Sequence, residues 1–303
     1  MRGFDYAALY PDNIGAMVLD GLVDHSLDIT ALTTSQVASF SLTMRRMLEW
    51  MSSNSSSALQ GRDVVEIWRE LIQRADDTPI PAPECVQSGL CFPKVTSGDL
   101  RTAIYKAVTH PTSQWPVWSQ YIKQAYDDGN ATAFSYPYQG DTGIGYSQLS
   151  IICHDWHFID NWQDFALLDY MSSTYSLDPR GPVGGQLWNI GCPKWPVQVT
   201  NPPTGTRVEN SKNSLPILLM HSLLDAAVGY DQAIGVHQRI DSSVLLTRYD
   251  EGHGSLESVE AVDSMNAYFI NGTVPEPLTI IGETMSQDVV TDFEILGWDQ
   301  NVQ

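Results

Sequence analysis

Residues 216–225 read Pro-Ile-Leu-Leu-Met-His-Ser-Leu-Leu-Asp, and residues 244–254 read Val-Leu-Leu-Thr-Arg-Tyr-Asp-Glu-Gly-His-Gly. The runs Pro216–Met220 and Val244–Tyr249 are apolar and of strand length, and the stretch between them, Asp231–Arg239, is amphipathic at helical spacing. Strand, helix and strand in that order make a βαβ unit, hence parallel strands with chemistry placed beyond their carboxyl ends. Two polar residues fall there. Asp225 follows the first run by a short loop, and His253 follows the second between Gly252 and Gly254, which allow a sharp backbone turn. An acid that precedes a histidine in this way has the order needed to orient an imidazole acting as a general base.

Outward from this unit the pattern changes. At the front, Phe4–Tyr10 reads as the end of a helix stopped by Pro11, and Ala16–Leu19 as a short buried strand ending at Asp20-Gly21. From about Thr34 to Asn130 the spacing is helical. Phe40, Met44, Met47, Leu48 and Met51 form one stripe, Val64, Trp68, Leu71 and Ile72 a second, and Leu100, Ile104, Ala107 and Val108 a third. Such stripes are packing faces. Between Tyr136 and Trp195 the chain is aromatic, rich in Gly and Pro, and irregular, as loops lining a cleft are. A last helix is expected over about Ser255–Phe269, followed by an acidic tail.

The 303 residues, 43% of them hydrophobic, suffice for a sizeable core. A formal charge of -20 repels phosphate backbones and anionic lipid, which argues against nucleic acid and membrane partners. No run approaches the roughly 18 apolar residues that span a bilayer, and the opening MRGFDYAALYPDN, without an apolar h-region, is expected to carry no visible export signal. Three sequons, at Asn54, Asn130 and Asn271, nonetheless suit a secreted glycoprotein. Four cysteines allow three pairings; Cys85 with Cys91 and Cys153 with Cys192 is the expected set, with free thiols as the alternative.

The remaining histidines and aromatics have plainer readings. His221 lies in or just after the strand before Asp225 and reads as a satisfied core histidine. His154, His157, Asp155 and Asp160 lack the spacing of a metal site, so no metal is expected. Tyr136, Tyr138, Trp156 and Trp162 either pack or line a cleft, and packing is favoured.

Several segments resemble, in order, the tripeptidyl aminopeptidase and proline iminopeptidase-like serine peptidases of the α/β-hydrolase superfamily. Tyr6–Gly21 is similar to the stretch after their nucleophile elbow. Gly98–Ile104 and Trp115–Trp118 resemble their helical cap, and Ile151–Asp155 and Cys192–Pro196 the return to the core. Pro216–Asp225, Gly252-His253-Gly254 and Ala267–Pro275 resemble their carboxyl-terminal module. The resemblance implies an α/β fold, namely an incomplete hydrolase core formed by the last strands of a mostly parallel sheet, with a large helical cap. Residues 1–27 would be a remnant of the core, 28–195 the cap and 196–303 the closing part of the core.

By the same resemblance Asp225 is the orienting acid and His253 the base of an exopeptidase that releases amino-terminal residues or tripeptides from peptides, without a cofactor. The nucleophile does not follow. No Gly-x-Ser-x-Gly occurs in the chain, and relatives place that elbow shortly before residue 1, so the expectation is a truncated, inactive chain that lacks the serine. A non-catalytic protein that binds peptides or a partner, and an esterase on the same scaffold, are the alternatives. The parent protein is expected to be extracellular.

Overall fold

The computed structural model describes residues 2–110, 112–135, 150–158, 161, 163–164, 166–168, 170, 192–209, 214–277 and 279–282. Its centre is a four-stranded parallel sheet in the order β1 (Val18–Asp20), β4 (Ile217–Leu224), β5 (Ser243–Glu251) and β6 (Ile280–Ile281). Strand β4 is buried at every position, as an inner strand of a parallel sheet must be when helices cover both faces.

The alternation along β4 decides which helix meets which face. Ile217, Leu219 and Leu223 share an apolar cluster with Phe4 and Ala7 of helix α1 (Arg2–Leu9) and with Ala233 and Val236 of the helix between β4 and β5 (Tyr230–His237). Leu218 and Met220 pack instead with Ala261 and Tyr268 of the helix Val259–Asn271. Tyr268 also ties two strand starts together, since its hydroxyl donates to Pro216 O at 2.9 Å and accepts from Met17 N at 2.9 Å.

Between β1 and β4 the chain builds a separate helical layer. It comprises α2 (Ile29–Ser53), α3 (Val64–Asp77), α4 (Pro83–Ser88), α5 (Ser97–Thr109) and α6 (Trp115–Lys123), with a two-stranded antiparallel pair, β2 (Ile80–Pro81) and β3 (Lys94–Val95). In chain order the helices after β4 and β5 are α7 and α8. Local chemistry sets the starts of α2, α3 and α5: Asp28 and Asp63 cap the first two, and Thr96 with Asp99 forms a capping box on the third. The three apolar stripes read from the sequence converge in one cluster, with Met47, Leu48, Leu71 and Leu100 fully buried.

Three details differ from the sequence reading. Strand β4 runs on through His221 to Leu224 instead of ending at Met220, so Asp225 follows it directly. Helix α8 starts at Val259, four residues later than expected, because the Ser258 side chain accepts from Ala261 N and caps it there. Strands β2, β3 and β6 are two residues each, too short to show any period. Among the described residues, no helix is long and apolar enough to cross a membrane.

Candidate active site

Asp225 stands at the carboxyl end of β4 with its side chain fully buried. An isolated carboxylate there would be costly, but this one is paired and hydrogen-bonded. Its Oδ1 accepts from the backbone of Ala227 at 2.8 Å and of Val228 at 3.0 Å, and its Oδ2 lies 2.8 Å from His253 Nδ1. The histidine sits just past β5, between Gly252 at φ 105° and Gly254 at φ 79°. Both glycines occupy conformations that side-chain-bearing residues avoid.

Four neighbours steady the histidine loop. His253 N donates to Thr109 O at 2.9 Å, and Ser255 N donates to Asp20 Oδ2 at 2.9 Å. The buried Arg248 guanidinium donates to the carbonyls of Glu251 and Gly252 at 3.0 and 3.1 Å. Below the ring lies Gly21, at φ 71°, where a β-carbon would come within 3.3 Å of His253 Cε1. The His253 side chain remains 48% exposed, and among the described residues its Nε2 has no hydrogen-bond partner. The pair is thus fixed on the Nδ1 side and open on the other.

Electrostatics follow from this geometry. The hydrogen bond to Asp225 holds the His253 pKa above its ordinary value against partial burial, with the charges of Asp225 and Asp20 adding to it. Burial pushes Asp225 up, but the hydrogen bond to His253 and the nearby histidines outweigh it, and the net direction is down. Tyr105 of α5 is pushed up to about 12 by burial and the Asp225 charge, so it stays a neutral phenol.

His221 lies in β4 beneath the acid and is fully buried. Its Nε2 donates to Val228 O at 3.0 Å, and its Nδ1 accepts from Leu22 N at 3.0 Å, which fixes a neutral tautomer. Burial drives its pKa down. Cys85–Cys91 and Cys153–Cys192 are bridged, with Cα separations of 4.9 and 5.2 Å.

Among the other described residues singled out in the sequence, His154, Asp155 and Trp156 hydrogen-bond elsewhere than to the Asp225–His253 pair. His154 Nδ1 bonds Ser150 O, Asp155 accepts from Asn201, and His157 is exposed. Trp156 is buried against His25 and donates to Leu27 O. Asp160, Tyr136, Tyr138 and Trp162 lie outside the described residues. Of the sequon asparagines, Asn54 caps the end of α2, Asn130 bonds Glu84 through its amide, and Asn271 is exposed at the end of α8. Sequence reasoning passed over Gln36, Ser39 and Thr43, whose hydroxyl and amide groups reach the acid loop. Their one signal was polarity at helical spacing beside an apolar stripe.

A mostly parallel sheet flanked by helices, with an acid and a histidine at adjacent strand ends, is α/β-hydrolase-like in architecture. Comparison narrows the class: residues 183–280 match the Abhydrolase_4 model, described as TAP-like protein. The tripeptidyl aminopeptidases of Streptomyces lividans and Streptomyces coelicolor are each 26% identical to the chain over 290 residues, covering 89% of it and 50% of their own length. The chain is similar to these tripeptidyl aminopeptidases, and it spans about half the length of the curated relatives it matches.

Proposed function

We propose that the chain carries the acid, Asp225, and the general base, His253, of a serine exopeptidase that acts on the amino ends of peptides, with the nucleophilic serine supplied from outside these 303 residues. The observation that carries this reading is the 2.8 Å contact from Asp225 Oδ2 to His253 Nδ1, where Nε2 has no hydrogen-bond partner among the described residues. In the reaction Nε2 takes the proton of the serine hydroxyl as it attacks the peptide carbonyl, then returns it to the departing amine; Asp225 keeps Nδ1 protonated and stabilises the imidazolium. No cofactor enters that chemistry.

The domain scheme belongs to the same proposal. The helical layer over 28–195 serves as a cap above the strand ends, and 1–27 with 196–303 serve as parts of the hydrolase core. Two disulfides and three sequons support a secreted glycoprotein, because an oxidising compartment favours such bridges.

The test compares three proteins on aminoacyl and tripeptidyl chromogenic substrates: the 303-residue chain, the chain extended upstream through a Gly-x-Ser-x-Gly elbow, and the extended chain with His253→Ala. The short chain is expected to be inactive and the extended one active. His253→Ala should lower kcat/KM by about 10⁴-fold or more. Hydrolysis by the short chain that survives His253→Ala would overturn the assignment. Peptide binding without turnover by the extended chain would favour a binding protein, and turnover of esters alone an esterase.

A further inference from the structure

Three side chains on one stripe of α2 reach across to the loop that carries Asp225. Ser39 Oγ donates to Asp225 O at 2.5 Å, Thr43 Oγ1 lies 3.0 Å from Leu224 O, and Gln36 Nε2 donates to Ala227 O at 3.0 Å. Positions 36, 39 and 43 recur at the three- and four-residue spacing that keeps side chains on one helix face. Thr43 is fully buried and Ser39 nearly so, where an uncommitted hydroxyl would cost stability. Ala226, in the middle of the same loop, is fully buried within the helical layer's own apolar cluster.

We propose that Gln36, Ser39 and Thr43 are positioning residues for the Asp225–His253 pair: helix α2 grips the carbonyls of the acid loop and so aims the Asp225 carboxylate at the histidine. The inference rests on the Asp–His reading above and adds to it a role for a helix more than 180 residues away in sequence.

The physical link runs through single peptide groups. The Ala227–Val228 peptide has its carbonyl held by Gln36, while its N–H donates to Asp225 Oδ1 at 3.0 Å. Hydrogen bonds in such a chain polarise one another, so the donor on α2 strengthens the bond received by the carboxylate. Ser39 holds the carbonyl of Asp225 itself and leaves the carboxylate on the side facing His253. With the Ala227 carbonyl turned toward α2, the amide end of the same peptide, Val228 N–H, faces the buried negative charge. Removing the grip loosens the loop that holds the Asp225 carboxylate in place.

The test reads His253 directly by NMR of the full chain, through its Nδ1–H resonance and its titration midpoint. Ser39→Ala and Gln36→Met are expected to weaken or lose the downfield Nδ1–H signal and to move the midpoint down toward that of an unpaired histidine. Ser39→Thr, which retains a hydroxyl, should restore both. Asp225→Asn is the reference. If it leaves His253 unchanged, the Asp–His reading fails; if it shifts His253 while folded Ser39→Ala and Gln36→Met do not, only the positioning role fails. Gln36 is half-buried, so its variant decides the matter should Ser39→Ala not fold.

Discussion

Gly21 forms the floor under His253: a β-carbon at residue 21 would lie 3.3 Å from His253 Cε1, and its φ of 71° is left-handed. The turn leaving β1 thereby sets how low the imidazole can sit over the strand ends. Gly21→Ala is expected to cost about 1–2 kcal/mol from the backbone alone and to tilt the ring off Asp225. Thermal unfolding checks the first effect, and the His253 Nδ1–H resonance checks the second. A variant with unchanged stability and unchanged resonance would remove Gly21 from this role.

The acid gives a sharper expectation. Asp225→Ala leaves His253 Nδ1 and two backbone N–H groups, of Ala227 and Val228, without their acceptor in a buried site. The expected loss is about 3–5 kcal/mol. Asp225→Asn keeps one carbonyl oxygen and should cost less. In the extended enzyme, kcat/KM should rise with pH as His253 loses its proton, with that limb above the ordinary histidine range because Asp225 holds the imidazolium. Asp225→Asn should move the limb down in pH and lower the plateau; a limb that stays in place would detach Asp225 from the base.

Some of this was legible in the sequence and some was not. The stripes through Met44, Leu48, Trp68 and Ile104 announced themselves because helices bury one face at a fixed spacing, and all four residues are buried. Asp225 and His253 were visible as polar residues at strand ends, and the chain brings them together through the parallel pairing of β4 and β5. Ser39 and Gln36 could not be read in this way. A serine or glutamine in a helix looks solvated until the loop it meets, 186 or 191 residues later, is in place. The β2–β3 pair and β6 were missed for a different reason: a two-residue strand holds no alternation, and its position is fixed by its neighbours.

The two disulfides should contribute unequally. Cys153–Cys192 spans a sequence separation of 39 and Cys85–Cys91 one of 6. Loop closure in the unfolded chain then favours the longer bridge, at about 4 kcal/mol against about 2. The double variant Cys153→Ser/Cys192→Ser is expected to unfold at a clearly lower temperature than Cys85→Ser/Cys91→Ser. Equal losses would mean that the chain-entropy account does not govern stability here.

The two histidines nearest Asp225 should act on stability in opposite pH windows. His253 has its pKa raised, chiefly by the hydrogen bond to Asp225. Its contribution is therefore complete below the ordinary histidine value and is lost as pH rises through the raised one. His221 has its pKa lowered, chiefly by burial, because its neutral ring accepts from Leu22 N and donates to Val228 O. Its contribution is complete above the ordinary value and is lost as pH falls through the lowered one, since a protonated Nδ1 can no longer accept. Denaturant unfolding across pH should accordingly show His253→Gln flattening the neutral-to-alkaline limb and leaving the acid limb intact. His221→Asn, which offers an amide acceptor and donor in place of the imidazole nitrogens, should flatten the acid limb instead. It should also lower stability by about 1–3 kcal/mol if either buried backbone partner is left unpaired. If His221→Asn flattened the same limb as His253→Gln, the buried imidazole would have to be charged in the folded protein, and the neutral bridge between Leu22 and Val228 would be wrong.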